Sequence, residues 1–164
     1  MIEQGFRRIA FVGTRMDPRT QQRMAGYRSV MEAHGLFDEA LLVTTPQKSS
    51  VEIGRHLLGS LLEAVPDCDG VFCNNDDVAV GIALECHRRN IRIPHDMGIC
   101  GFNDLGTTSQ MQPAITSVNT PRVEIGARAA QYILNRNTGL PQTENQNIDL
   151  GFELKVRAST QRKT

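Results

Sequence analysis

The sequence predicts an α/β fold built on a doubly wound parallel sheet. Four short apolar segments alternate with three longer helical segments between residues 8 and 101. Consecutive parallel strands need such crossover helices, and these crossovers are right-handed. The strand segments are continuously apolar rather than alternating, which is typical of strands covered by helices on both faces. The chain has 164 residues, 40% of them hydrophobic, which is ordinary for one globular domain.

The first strand is predicted over 8–13, where an apolar run ends in glycine. A helix follows, because Asp17 is a suitable N-cap and Pro18 suits the first helical position. Gly35 is expected to end that helix. Helical spacing gives it an inner face of Met24, Tyr27, Val30 and Met31. The second strand is predicted over 40–43.

The second helix is predicted to begin at Val51, behind a capping box over 49–52. One face carries its apolar side chains together with a glycine: Val51, Gly54, Leu57, Leu58, Leu61 and Leu62. The third strand covers 70–73. Asn75 or Asp76 is expected to cap a third helix, whose inward side chains are Val78, Ile82 and Cys86. The fourth strand covers 97–101.

The regular alternation ends after Gly101. Residues 103–113 are polar and irregular, and 115–118 form a short predicted strand. Thr120 and Pro121 precede a helix whose apolar or small residues recur at helical spacing: Val123, Gly126, Ala127, Ala130, Ile133 and Leu134. A break at 139–141 follows, then terminal strands over 148–150 and 152–156. Residues 161–164 are expected to be a frayed tail.

Composition limits the classes of function. Lysine plus arginine and aspartate plus glutamate both number 18, so the chain lacks the basic surplus of a domain that binds nucleic acid by itself. No segment approaches the length of about 18 apolar residues that a membrane span needs, and the N-terminus is not a signal peptide. The four cysteines show no C-x-x-C spacing, and we expect free buried thiols in a reducing cytoplasm: Cys68, Cys73, Cys86 and Cys100.

A binding site is expected where the four strands end, since open α/β sheets bind ligands beyond the carboxyl ends of their strands. The candidate ligand-binding residues are Arg15, Arg23, Ser49, Asn75, Asn103 and Asp104. Amides, carboxylates and the fork of arginine are suited to the hydroxyl or acid groups of a small polar ligand. Each also has a simpler interpretation: Asn75 as a helix cap, 103–104 as a turn, and both arginines as solvated side chains.

Catalytic patterns are weak. His34, His56, His87 and His95 are scattered, without a serine or cysteine nucleophile at motif spacing. Neither a zinc-site spacing nor a phosphate-binding glycine loop occurs, so no metal or cofactor is predicted. A phosphoacceptor receiver domain needs acidic residues after the first strand to hold a metal ion. In this chain residues 13–15 at that place are Gly-Thr-Arg. An enzyme on the same sheet remains an alternative, because fold does not fix function.

Six segments in chain order resemble signature stretches of the LacI/GalR family of transcriptional repressors. They are GFRRIAFVG (5–13), RMAGY (23–27), FCNNDDVAVG (72–81), IPHDMGICGFND (93–104), PAITSV (113–118) and RAST (157–160). Together they extend along nearly the whole chain, which is more specific than any single motif. Residues 75–81 with 85–86, and residues 149–152, further resemble the gluconate-utilisation branch of that family.

The resemblance implies a periplasmic-binding-protein-like fold, of which this chain is mainly the C-terminal lobe. In that arrangement 1–118 form the C-terminal lobe, 119–149 a crossover element of the N-terminal lobe, and 150–164 a returning strand and tail. The helix-turn-helix and most of the N-terminal lobe are expected to be absent from this chain. A homodimer is expected through the helices beginning at Val51 and Asp77, and operator DNA would be bound only through the missing domain.

The resemblance also implies site roles. Arg23, Asn75 and Asn103 match positions that contact the effector in the family, and Ser49 falls near its aromatic stacking position. Asn103 replaces the family's usual aspartate, which favours an anionic effector such as a sugar acid, with Arg23 pairing its carboxylate. The main alternative is a periplasmic sugar-binding protein of the same fold. Half a cleft is expected to bind ligand weakly or not at all.

Overall fold

The computed structural model describes residues 1–137 and 147–162. Its strands and helices, in chain order, are β1 (Ile9–Thr14), α1 (Pro18–Ala33), β2 (Leu42–Thr45), α2 (Val51–Ala64), β3 (Gly70–Cys73), α3 (Asp76–Arg88), β4 (Gly98–Phe102), α4 (Gly106–Gln110), β5 (Thr116–Asn119), α5 (Arg122–Asn137) and β6 (Glu153–Lys155). Short 3-10 turns cover Ile2–Gln4, Glu39–Leu41 and Ala158–Thr160.

The strands form one sheet in the order β2-β1-β3-β4-β5-β6. All pairings are parallel except β5 with β6, which is antiparallel at one edge. The chain moves one way from β1 to β2 and the other way from β2 to β3, so right-handed crossovers place helices on opposite faces. The strand order therefore reverses between β1 and β3, and this is the topological switch point of the sheet.

Alternate residues of β1 confirm the predicted double winding. Ile9 and Phe11 pack with Tyr27 and Met31 of α1 in one cluster, whereas Ala10 and Val12 belong to the cluster of α2 and α3. Successive strand side chains point to opposite faces, so helices cover both sides of this strand. The predicted inward residues of α3 are fully buried: Val78, Ile82 and Cys86.

Helices α2 and α3 cross with their backbones in contact. A Cβ atom on Gly54 would lie 2.4 Å from the Val78 carbonyl oxygen, and one on Gly81 would lie 2.1 Å from the Val51 carbonyl oxygen. Both distances are shorter than any real contact of a Cβ atom, and both neighbours are backbone atoms that no rotamer change can move. The crossing therefore requires glycine at both positions.

A buried carboxylate strengthens the same helix pair. The Glu85 side chain is 4% exposed and accepts hydrogen bonds from Arg88 and Arg89 of its own segment, with Arg55 of α2 at 3.4 Å. The bonds from Arg88, and then those from Arg89, hold the pKa of Glu85 well below its usual range. A carboxyl group with a lowered pKa adds stability above its unfolded pKa and loses it as the pH falls toward the folded value.

Replacing Glu85 by glutamine is expected to lower the free energy of unfolding by about 1–3 kcal/mol at pH 7, because three arginines lose the negative charge that they share and keep only a neutral, weaker acceptor. The difference from the unmodified chain should shrink below about pH 4, where the unfolded glutamate becomes protonated. Urea denaturation across pH 3–7 measures it. Glu124→Gln, which removes an exposed pair with Arg128 on α5, is the control and should change little at any pH. A difference in the free energy of unfolding between the unmodified chain and Glu85→Gln that stays constant with pH would contradict the stabilising role of the Glu85 charge.

The four cysteines are free and buried, as predicted. Burial raises the pKa of Cys68 to about 11 and the pKa values of Cys86 and Cys100 to about 12. The pKa of Cys73 is raised well above its usual value for the same reason. These thiols are therefore protonated, apolar members of the core at neutral pH.

Several predicted boundaries are wrong by one or two residues. The strands expected over 8–13, 40–43, 97–101 and 115–118 are displaced toward their carboxyl ends. At the first strand the reason is local, because the Asp69 carboxylate accepts the backbone N–H of Arg8 at 2.9 Å in place of a strand partner. Apolar runs identify burial, whereas the hydrogen-bond ladder continues into polar residues such as Thr14 and Thr45.

Other sequence expectations are also wrong. The capping box was expected to begin at Ser49, but Ser50 is the cap and accepts from the Ile53 N–H at 3.1 Å. The third helix begins at Asp76 rather than Asp77, with Asn75 as its cap. Val30 is 51% exposed and not on the inner face of α1. Residues 103–113 contain helix α4, which was not expected.

The C-terminal segment differs from its prediction too. Residues 148–150 form no strand, and the strand expected over 152–156 is limited to β6. Of the tail predicted to be frayed over 161–164, Arg162 is fixed, since its guanidinium lies 4.0 Å from the centre of the Phe6 ring. Residues 163–164 lie outside the described residues. The predicted break at 139–141 lies outside the described residues. The apolar side chains predicted along α5 are exposed, Val123 by 89% and Ile133 by 59%.

Candidate functional site

A polar cavity of about 160 Å³ lies at the switch point, beyond the carboxyl ends of β1 and β3. This is the position at which doubly wound sheets bind ligands, because the two adjacent loops leave in opposite directions. The cavity is lined by nine residues, all of them polar or charged: Arg15, Asp17, Arg19, Thr20, Arg23, Ser49, Asn74, Asn75 and Asn103.

Arg23 is held in this cavity by two contacts from different strands. Its Nη1 donates to the Asn74 carbonyl oxygen at 2.6 Å, and its guanidinium carbon lies 3.8 Å from the centre of the Phe102 ring. Burial, and secondly the charge of Arg19, lower the pKa of Arg23, although a guanidinium stays charged in proteins. Within residues 1–137 and 147–162, no carboxylate lies within 4.0 Å of it. Arg23 therefore presents a fixed positive charge that makes no ion pair with a carboxylate of the described residues, although the more distant charge of Asp17 favours it.

Asn74 is the buried junction behind the cavity. Its side-chain amide nitrogen donates to the Thr14 carbonyl oxygen at 3.0 Å and to the Thr20 hydroxyl at 3.1 Å, and its side-chain Oδ1 accepts from the Thr14 hydroxyl at 3.2 Å. These bonds join β1, the first turn of α1 and the end of β3. Asn74 has thus used its hydrogen-bonding capacity within the protein, and its backbone carbonyl positions Arg23.

Asn75 keeps part of its capacity free. Its side-chain oxygen accepts from the Val78 N–H at 3.1 Å, so it caps α3, which was one of the two sequence interpretations. Its amide nitrogen makes only long contacts, 3.3 Å to Asn74 and 3.5 Å to the Thr14 hydroxyl. A cap through oxygen leaves the amide N–H groups able to donate to a ligand. The two interpretations of Asn75 are therefore compatible.

Strained backbone borders the cavity at two loops. Arg15 and Met16 after β1 have φ angles of 65° and 43°, and Asn103 and Asp104 after β4 have φ angles of 107° and 51°. Residues other than glycine rarely adopt positive φ, and each such residue costs on the order of 1–3 kcal/mol. Such strain persists only where surrounding contacts enforce it, and it concentrates at functional sites.

The charge of the lining is positive. Three arginines face one aspartate, Asp17, which caps α1 through the Thr20 N–H at 2.9 Å and pairs with Arg19 at 3.0 Å. The cap hydrogen bond, followed by the bond from Arg19, lowers the pKa of Asp17 to about 2. Its charge is therefore already engaged at neutral pH, and the cavity attracts anions.

The structure brings together five of the six residues predicted from the sequence as ligand-binding: Arg15, Arg23, Ser49, Asn75 and Asn103. Asp104 is not among the lining residues, because the Arg157 guanidinium binds its carboxylate at 2.7 Å. Their roles in ligand binding stay a prediction. The lining residues not predicted as ligand-binding are Asp17, Arg19, Thr20 and Asn74. The cap motif at Asp17 could have indicated three of them, since it places the first turn of α1 at the same rim.

The described residues also bear on metal binding and membrane insertion. No group of three histidine, cysteine, aspartate or glutamate side chains is arranged to hold a metal ion there. Over the same residues, no helix is long and apolar enough to cross a membrane.

The chain is similar to one protein family and to transcription regulators of two bacteria. The family model described as "Periplasmic binding protein-like domain" matches residues 1–160. The HTH-type transcriptional regulator GntR of Pseudomonas aeruginosa is 39% identical over 160 residues, which are 98% of this chain and 46% of that protein. The regulator IdnR of Escherichia coli K12 is 39% identical over 94% of this chain and 46% of its own length. The chain spans about half the length of these curated relatives.

A solved structure extends the similarity to three dimensions. The transcription regulator GntR from Chromobacterium violaceum superposes with a TM-score of 0.94 at 38% identity, over 97% of this chain and 58% of that one. The fold described above, including the switch point that forms the cavity, is therefore shared with a regulator.

Proposed function

Because this chain belongs to the periplasmic binding protein-like domain family, in the form carried by LacI-type transcription regulators, we propose that it is the effector-sensing half of such a regulator. Its ligand is a small polar molecule, and the binding residues are Arg15, Arg23, Ser49, Asn75 and Asn103. The chain has no catalytic role in this proposal. The relatives reported above are transcription regulators, which favours this function over a periplasmic sugar-binding protein.

The effector class we propose is a sugar acid, with gluconate as the first candidate. The observation that carries this choice is Arg23, a half-buried guanidinium with no carboxylate partner in the described part of the chain. Desolvating a charge without a partner is costly, so a site that keeps one open is suited to a ligand of opposite charge. Asn75 and Asn103 add neutral groups suited to hydroxyls, and the neutral amide of Asn103 adds no repulsion.

The proposed mechanism is a population shift in a longer, two-lobed protein. Residues 1–118 form one lobe, 119–149 belong to the other, and 150–164 return to the first. Effector between the lobes favours one arrangement, and a DNA-binding domain outside this chain responds. Coupling of this kind is typically about 1–3 kcal/mol and is reciprocal between effector and DNA. The regulator acts as a cytoplasmic homodimer whose contact surface includes α2 and α3.

Isothermal titration of the intact protein that carries this chain tests the effector class. Gluconate should bind, whereas galactose and ribose should give no heat above dilution, because neither neutral sugar can pair with Arg23. Gluconate affinity should also fall as salt is raised, since the site is positive. Binding of galactose or ribose with silence toward gluconate would refute the anionic effector.

A further inference from the structure

A group of buried polar contacts lies behind the strained turn of Asn103 and Asp104. The Arg157 guanidinium donates to the Asp104 carboxylate at 2.7 Å, to the Ile115 carbonyl oxygen at 2.8 Å and to the Thr108 hydroxyl at 3.3 Å. The pair is largely shielded, with the Arg157 and Asp104 side chains 21% and 17% exposed. Arg157 thus ties the turn to α4 and to the start of β5, although it is not among the lining residues of the cavity.

The backbone of the turn is fixed from a second direction. The Asp104 N–H donates to the Ser117 hydroxyl at 3.0 Å, and that hydroxyl donates to the Asp76 carboxylate at 2.7 Å. The other oxygen of Asp76 accepts the Leu105 N–H at 2.6 Å. Asp76 is fully buried, and a Cβ atom on Gly101 would lie 2.2 Å from its Oδ1, so β4 leaves room for this carboxylate.

These contacts oppose the strain in the turn. Positive φ at two successive residues other than glycine is unfavourable unless surrounding contacts over-determine it. The side chain of Asn103 lines the cavity, and among the described residues no hydrogen bond holds that side chain. Its position therefore depends on the backbone on which it stands. That backbone is held by the Asn103 N–H, which donates to the Val118 carbonyl oxygen at 2.8 Å, and by the contacts to Asp104.

We propose that Arg157 is a positioning residue for the effector site: by clamping Asp104, it holds the turn at positive φ and so places the Asn103 amide in the cavity. This inference rests on the function proposed above. Asp76 and Ser117 support the same turn from the opposite side. A guanidinium can do this because its planar fork reaches a carboxylate and two further acceptors at once.

The first test needs no ligand. NMR measurements of scalar couplings and chemical shifts on this 164-residue chain report the sign of φ at Asn103 and Asp104. In Arg157→Gln, we expect both residues to leave positive φ for a substantial share of the time, with Arg157→Lys intermediate. Retention of positive φ at both residues in a folded Arg157→Gln chain would overturn the proposal. Arg92→Gln, which removes an exposed arginine–aspartate pair elsewhere, is the matched control.

The second test is a double-mutant cycle on gluconate affinity in the intact protein. Arg157→Gln should weaken gluconate binding about tenfold, within the range of coupled neighbours. In an Asn103→Ala background it should have little further effect, because its action passes through Asn103. Additive effects would indicate a merely structural role and overturn the proposal. Arg157→Lys keeps the charge, and it replaces Arg157→Gln in the same cycle if the glutamine variant is too unstable to titrate.

The two tests separate this inference from the proposed function. Failure of the unmodified protein to bind gluconate refutes the effector class, and the φ angles in Arg157→Gln still decide the positioning role. Gluconate binding that is equal in the unmodified protein and Arg157→Gln supports the effector class and refutes the positioning role.

Discussion

Replacing Arg23 by alanine is expected to weaken gluconate binding by the intact protein at least about thirtyfold, because truncating one partner of a desolvated charge pair costs about 2–5 kcal/mol or more. The guanidinium is the cavity's half-buried charge, fixed against the Asn74 carbonyl oxygen and the Phe102 ring. Arg23→Lys keeps the charge but loses the planar fork, so an intermediate loss of about tenfold is expected. Isothermal titration measures both.

The matched control for this prediction lies on the same helix. Arg28 is exposed and pairs with Glu39 and Glu32, away from the cavity. Arg28→Ala should leave gluconate affinity unchanged. Arg23→Ala itself should fold normally, since it removes a charge that forms no ion pair with a carboxylate of the described residues. An unchanged affinity in Arg23→Ala would remove the main support for an anionic effector.

Replacing Gly81 by alanine is expected to lower the free energy of unfolding by about 2 kcal/mol or more. A clash with fixed backbone atoms costs at least the upper end of the usual overpacking range of about 1–3 kcal/mol, and better helix propensity offsets only up to about 1 kcal/mol. The new methyl group would meet the Val51 carbonyl oxygen and carbon, at 2.1 and 2.9 Å, so α2 and α3 must separate. Urea denaturation monitored by far-ultraviolet circular dichroism measures the loss.

Gly26 supplies the control for the effect of helix propensity. It also lies within a helix, α1, but beyond its chain neighbours and the backbone of its own helix no atom lies within 4 Å of the place its Cβ would occupy. Gly26→Ala should therefore leave stability unchanged or raise it by up to about 1 kcal/mol. If Gly81→Ala behaved like Gly26→Ala, the close approach of the two helix backbones would be contradicted.

Much of the fold is predictable because burial and capping leave local signals. The apolar run of 70–73 coincides with β3, and Asp17 with Pro18 marks the beginning of α1. Features without such signals were missed. Helix α4, with the sequence GTTSQ, has no apolar periodicity and is held by tertiary contacts such as that of Thr108 with Arg157.

The sequence indicates which residues meet at the candidate site, but it does not indicate how their side chains are bonded there. Parallel strands bring their carboxyl ends to one edge, which is why five of the predicted residues meet in the cavity. Nothing in a linear pattern indicates that Asn74 saturates its hydrogen bonds inside the protein while Asn75 retains capacity. Nor does it indicate that Asp104 is paired with Arg157, 53 positions away. These outcomes depend on packing between distant segments.

The long-range bonds of the cavity also constrain when it can exist. The Thr14–Asn74 bond joins residues 60 positions apart, and the Arg23–Asn74 bond joins residues 51 apart. Closing loops of this size costs chain entropy before the contacts between the two ends contribute any favourable free energy. Such long-range pairings therefore form late in folding. If the function proposed above holds, an effector has nothing to bind on a nascent or partly folded chain. It then acts by mass action on folded molecules and protects them from unfolding, and it does not guide their assembly.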